Sequence, residues 1–221
     1  VALFNLEMGA EQLINRMIAS VGGIDQHKLQ TGYFNESDWN KFTKATAELS
    51  NSKIYFDDTP SLSIGELKSK CRKLASSEDG LDVIIIDYLQ ILTSNKNYQG
   101  NRQQEVADIS RSLKQLALEL KVPIIALAQL RRPIEQKKGD QRPTMNELRE
   151  SGQIEQDADI IVLLYREDYV DKTKAIDNNT TIMEFNLEKN RNGVAGRKIE
   201  LLYNKNLSRL LNKGKEINET N

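Results

Sequence analysis

Short apolar runs alternate with amphipathic segments along this chain, and that alternation narrows the fold more than any other feature of the sequence. Residues 1–6, 53–56, 83–86, 124–128 and 160–165 read as strands, with further strands near 181–187 and 198–203. Between them, Leu13, Ile14, Met17, Ile18 and Val21 recur at helical spacing. So do Val106, Ile109, Leu113, Leu116 and Leu120, in a run that Pro123 stops. Asn35 is placed to cap a helix burying Trp39, Phe42 and Leu49, and Ser63 with Glu66 has the spacing of a capping box. Strands that alternate with helices predict an α/β fold with a mostly parallel sheet flanked by helices. Residues 83–86 are consecutive β-branched residues, as in a central strand covered on both faces.

A chain of 221 residues with 38% hydrophobic and 29% charged content fits one domain with a sizeable core. No run approaches the ~18 apolar residues of a membrane span. The single cysteine, Cys71, excludes an internal disulfide framework and a cysteine-rich zinc site. Cys71 shares a helical face with Leu67 and Leu74 and is expected in the core. The formal net charge of −1 argues against coating nucleic acid by bulk charge. Any such contact is local, and two stretches qualify: residues 131–142, with five basic and two acidic residues, and 187–198, with four basic and one acidic. Each also suits a solvated surface.

Parallel α/β sheets bind ligands where their strand ends open into a crevice. Asp87 stands at such an end, although an aspartate there also suits a helix cap or a surface turn. Glu7 and Gln129 end two further strands, so a carboxylate, a carboxylate and an amide converge on one edge. Nucleotide hydrolysis needs these types: a carboxylate to hold Mg²⁺ through water, another to orient or deprotonate the attacking water, and a polar group that senses the γ-phosphate. His27, without a second ligand, is expected at a helix edge. Trp39, Phe42 and Tyr88 are expected to pack.

The runs NLEMG (5–9), VIIIDYLQIL (83–92), NRQQEVADISRSLKQLALELKVPIIALAQL (101–130), RPTMNELRESGQIEQDADIIVLLYR (142–166) and EKNRNG (188–193) closely resemble DnaB-type replicative helicases, in that order, and the resemblance extends over residues 1–203. It implies a RecA-like P-loop NTPase core, truncated before the second core strand, over residues 1–211, with a polar tail at 212–221. By motif, Glu7 matches the residue that prepares the attacking water, Asp87 the Walker B aspartate on Mg²⁺, and Gln129 the reporter of the γ-phosphate of ATP. Lys189 and Arg191 match the pair that reaches into the neighbouring subunit's site. Arg149, Glu150, Ser151 and Gly152 match the loop that follows single-stranded DNA, with a cation and backbone N–H groups but no aromatic, which suits phosphate contact without base readout.

The resemblance further implies a homo-hexamer in the primosome, translocating on single-stranded DNA, with primase and a helicase loader as partners and no membrane. The setting would be a bacterial cytoplasm, an organelle or a phage-infected cell. LRESGQIEQDAD and EKNRNG favour this reading over a RecA-like recombinase or clock-type ATPase. A non-catalytic helicase-like scaffold stays open, because G-x-x-x-x-G-K-[ST], which would cradle the phosphates, does not occur in these residues. Truncation or a split gene is the expected reason, with strand edges left open and little ATP binding by these residues alone. QLRRPIEQ departs from the family pattern at Arg131 and Pro133. The N-terminal primase-binding domain and linker helix, through which hexamers assemble, are also outside these residues.

Overall fold

The structure is a computed structural model that describes residues 1–130, 141–171, 173 and 176–213, apart from the side chains of 149–151 and 170. The chain divides into two compact units, Val1–Ala10 with Lys53–Ala158, and Glu11–Ser52 with Asp159–Asn221.

The first unit is built on a parallel sheet. Strands β1 (Ala2–Asn5), β2 (Tyr55–Asp57), β3 (Ile84–Asp87) and β4 (Ile124–Ala126) pair in the order β2-β1-β3-β4. Phe4 stands beside Ile86 and Asn5 beside Asp87, so all four C-terminal ends lie along one edge. Helices α4 (Ile64–Ala75) and α5 (Arg102–Leu120) supply the rest of the core. Leu67 and Cys71 from α4 and Val106, Ile109, Leu113 and Leu116 from α5 meet Ala2, Phe4, Ile84 and Ile86. The capping box expected at Ser63 is formed: its hydroxyl accepts from the Glu66 N–H while Glu66 accepts from the Ser63 N–H. Lys121, in the left-handed region, ends α5 ahead of Pro123. β3 lies inside the sheet as expected, but Ile84 and Ile86 are buried while Ile85 is only half-buried, so one face is packed more tightly than the other. The chain after β4 ends in a 3₁₀ segment, Met145–Ser151, and α6 (Gly152–Asp157). The Ser110 hydroxyl donates to Asp157 at 2.8 Å, and Ile154 packs against the core, which ties α6 to α5.

In the second unit, α1 (Ala10–Gly22), α2 (Gln26–Thr31) and α3 (Glu36–Ser50) gather around Ile18, Ile24 and Ala45, with Leu29, Phe34, Phe42 and Leu49 alongside. Asn35 caps α3 through a second capping box, with Asp38 as its return partner. Trp39 packs as expected, edge-on to Phe42 at 5.9 Å and to Phe34 at 5.0 Å, but it is less buried than expected, at 54% exposed. The unit's sheet is antiparallel, with β5 (Ile160–Tyr165), β6 (Thr180–Asn190), β7 (Arg197–Asn204) and β8 (Arg209–Asn212) in sequence order. A short helix, α7 (Glu167–Val170), follows β5. Residues 214–221, most of the expected tail, lie outside the described residues.

Candidate active site

The edge formed by the ends of β1, β3 and β4 carries Glu7, Asp87 and Gln129, and the strand order puts Asp87 between the other two. Each sits at or just beyond a strand end because the apolar run that makes the strand stops there. The Leu6 N–H donates to the Asp87 carbonyl at 2.8 Å, which holds the Glu7 turn against β3. At the far side of that turn, the Ala10 N–H donates to Asp58 Oδ2 at 3.1 Å. Asp87 is half-buried, Glu7 and Gln129 are exposed, and the Asp87–Tyr88 peptide is cis. Beside Asp87 in the ladder, Asn5 is 2% exposed, and neither polar atom of its carboxamide has a hydrogen-bond partner. Buried polar groups in that condition are uncommon.

The chain after Asp87 is held from two sides. Gln90, in the 3₁₀ turn Leu89–Ile91, bonds through both atoms of its carboxamide to the backbone of Gln129. Arg102, at the start of α5, donates to the carbonyls of Gln90 and Leu92 and pairs with Glu105. Glu105 also accepts from the Ser94 N–H at 3.0 Å. Neither Gln90 nor Asn5 is singled out by sequence reasoning. Gln90's partner is 39 residues away.

Lys189 and Arg191 belong to the second unit, at the end of β6. The ladder sets Lys189 beside Ile161, with a bulge before Val162. The sequence offers Arg191 no obvious acidic partner, but the fold supplies one: its guanidinium lies 2.7 Å from Asp159, and its N–H donates to the Asp159 carbonyl at 2.8 Å. Both side chains are nearly half exposed. Such exposed pairs contribute only about 0–1 kcal/mol each.

Of the expected DNA-contacting residues, Arg149, Glu150 and Ser151 fall in the 3₁₀ segment rather than an open loop, and Gly152 begins α6. The side chains of Arg149, Glu150 and Ser151 lie outside the described residues, as do residues 131–140, which include Arg131 and Pro133. His27 is exposed in the first turn of α2, where its N–H donates to the capping Asp25, as a helix-edge role requires. Tyr88 is half-buried. Among the described residues no helix is long and apolar enough to cross a membrane.

Comparison with known proteins agrees with this architecture. The family described as DnaB-like helicase C terminal domain matches residues 1–212. The chain is 50% identical over 212 residues to the replicative DNA helicase DnaC of Bacillus subtilis (strain 168), covering 96% of this chain and 45% of that protein. It is 47% identical over 219 residues to the replicative DNA helicase DnaB of Geobacillus stearothermophilus, covering 99% and 47%. The chain thus spans about half the length of the curated relatives it matches. Among solved structures, one described as an ATPase domain superposes with a TM-score of 0.86 at 39% identity, covering 96% of this chain and 74% of that one. A DnaB-like replicative helicase, studied with its interactions with primase, superposes at 0.85 with 38% identity, covering 96% and 50%. The fold is therefore RecA-like α/β, and the chain belongs to the DnaB-like helicase C-terminal domain family.

Proposed function

We propose that this domain is the ATP-hydrolysing motor of a hexameric replicative helicase that moves along single-stranded DNA and opens duplex at a fork. The observation that carries the reading is the convergence of Glu7, Asp87 and Gln129 on three neighbouring parallel strand ends. The similarity to replicative helicases supports it. Phosphoryl transfer to water asks little covalent chemistry of a protein and much positioning. Glu7, exposed beyond β1, orients the attacking water and draws its proton. Gln129 meets the γ-phosphate and registers its presence.

Asp87 is the residue that would hold Mg²⁺. A half-buried carboxylate flanked by an exposed carboxylate and an amide suits this hard ion, which keeps several waters and takes one or two carboxylates plus phosphate oxygens. When bound, Mg²⁺ offsets the charge on the transferring phosphoryl group.

Arg191, with Lys189, acts on ATP held by the neighbouring subunit, leaving its weak pairing with Asp159 to do so. Arg149, Glu150, Ser151 and Gly152 follow the phosphates of single-stranded DNA. Primase and a helicase loader are the partners this assignment brings, the first in keeping with the relative studied with primase.

The test is Glu7→Gln in the full-length protein. Nucleotide binding and folding should persist while turnover falls about 10²–10⁴-fold, the usual worth of a positioned general base. Turnover at the unmodified rate would remove Glu7 from this role.

A further inference from the structure

We infer that Gln90 is a positioning residue for hydrolysis, one that sets where Gln129 stands by standing in for a missing stretch of β3. The inference rests on the proposed role of Gln129 as reporter of the γ-phosphate. Its basis is the hydrogen-bond pattern between the two strand ends. The Leu127 N–H donates to the Ile86 carbonyl at 2.9 Å, and the Leu89 N–H donates to the Leu127 carbonyl at 2.9 Å. Two residues further along β4's line, Gln129 would need the next pair of backbone groups from β3's side. The chain there has already turned into the 3₁₀ segment Leu89–Ile91 and offers none.

Gln90 supplies both from its side chain. Its Oε1 accepts from the Gln129 N–H at 3.2 Å and its Nε2 donates to the Gln129 carbonyl at 3.1 Å. A carboxamide carries the donor and acceptor of a peptide group, so the ladder continues one step beyond the last backbone rung. Gln90 is itself fixed, because Arg102 from α5 donates to its carbonyl and, at 3.3 Å, to that of Leu92. The loop carrying Asp87 and the chain carrying Gln129 are thereby joined three residues past the one and three past the end of the other's strand. Without this joint the last rung behind Gln129 is the one at Leu127, and the Gln129 side chain samples positions away from the phosphate. Displacements of about 1 Å in a positioned group cost up to about a hundredfold in rate.

The experiment is steady-state ATP hydrolysis and thermal unfolding of the full-length protein carrying Gln90→Met, Gln90→Glu, Gln129→Ala and the double substitution Gln90→Met with Gln129→Ala. Methionine keeps the length and removes both bonds; glutamate keeps the acceptor and removes the donor. Gln90→Met is expected to lower kcat about tenfold with KM for ATP within about twofold, as loss of positioning predicts. Gln90→Glu should fall between it and the unmodified protein, and decides the matter should the methionine variant fail to fold. In the Gln129→Ala background, Gln90→Met should cause no further loss, since its effect passes through Gln129. A residue that merely held the fold would lower the unfolding temperature and act equally in both backgrounds, which would overturn the inference. Unmodified kcat in Gln90→Met beside a slow Gln129→Ala would overturn it too. Unmodified turnover in Gln129→Ala itself would instead overturn the assignment of Gln129.

Discussion

Asp168 is 6% exposed and still carries its charge, because the second unit surrounds it with donors. The Arg166 guanidinium bonds it in a fork at 3.1 and 2.9 Å, Lys205 lies at 2.9 Å, and the Thr181 hydroxyl donates at 2.7 Å. Arg166, chief among these, holds the carboxyl well below the usual carboxylate range against the opposing pull of burial. A carboxyl with a depressed native pKa stabilises the fold fully above its unfolded pKa of about 3.9 and loses that contribution as pH falls below it. The second unit should therefore weaken as pH drops below about 4. Asp168→Asn should be less stable than the unmodified protein at neutral pH by about 3 kcal/mol, the scale for breaking a largely buried pair, and should lose part of the acid sensitivity. Urea unfolding at pH 7 and pH 3.5 measures both. An unchanged gap between the two proteins at the two pH values would show that Asp168 titrates alike in native and unfolded chains.

Helix ends were the most legible elements, because a cap needs only residues within one turn. Ser63 with Glu66, and Asn35, sit where their spacing placed them. Burial along α3 was less legible: Trp39 and Phe42 share the ring of Phe34, outside the helix, and the periodicity of Trp39, Phe42 and Leu49 carries no trace of that partner. The antiparallel sheet was legible as strands near 181–187 and 198–203 but not as pairing, and β8 was missed, since its Leu210 and Leu211 are too short a run to stand out from the polar residues around them. The same limit applies at the site. Glu7, Asp87 and Gln129 were found because strand ends are local, whereas the Arg191–Asp159 pair and the Gln90 bonds join residues 32 and 39 apart. Ser63→Ala removes both hydroxyl contacts to Glu66 and should lower the stability of the first unit by about 1 kcal/mol, read as a shift in urea midpoint with unchanged slope. No shift would mean that α4 frays at that end in solution.

At the scale of the assembly, the proposed site is shared between subunits, and mixing tests it. Full-length Arg191→Ala subunits retain Glu7, and Glu7→Gln subunits retain Arg191. If Arg191 serves its neighbour, some junctions in mixed rings regain both, and hydrolysis should rise above either parent, as a guanidinium acting in trans requires. Mixtures no faster than the parents would place Arg191 on its own subunit's nucleotide or nowhere near one. Within a single chain, the core of the first unit holds a different kind of opportunity. Cys71 is the one cysteine of the sequence and is wholly buried, and burial pushes its thiol up to about 12. Only a thiolate attacks a thiol reagent at a useful rate. Alkylation of this folded chain must therefore wait for that core to open, and since Cys71 is the one thiol in these 221 residues, its labelling rate is a clock for that opening.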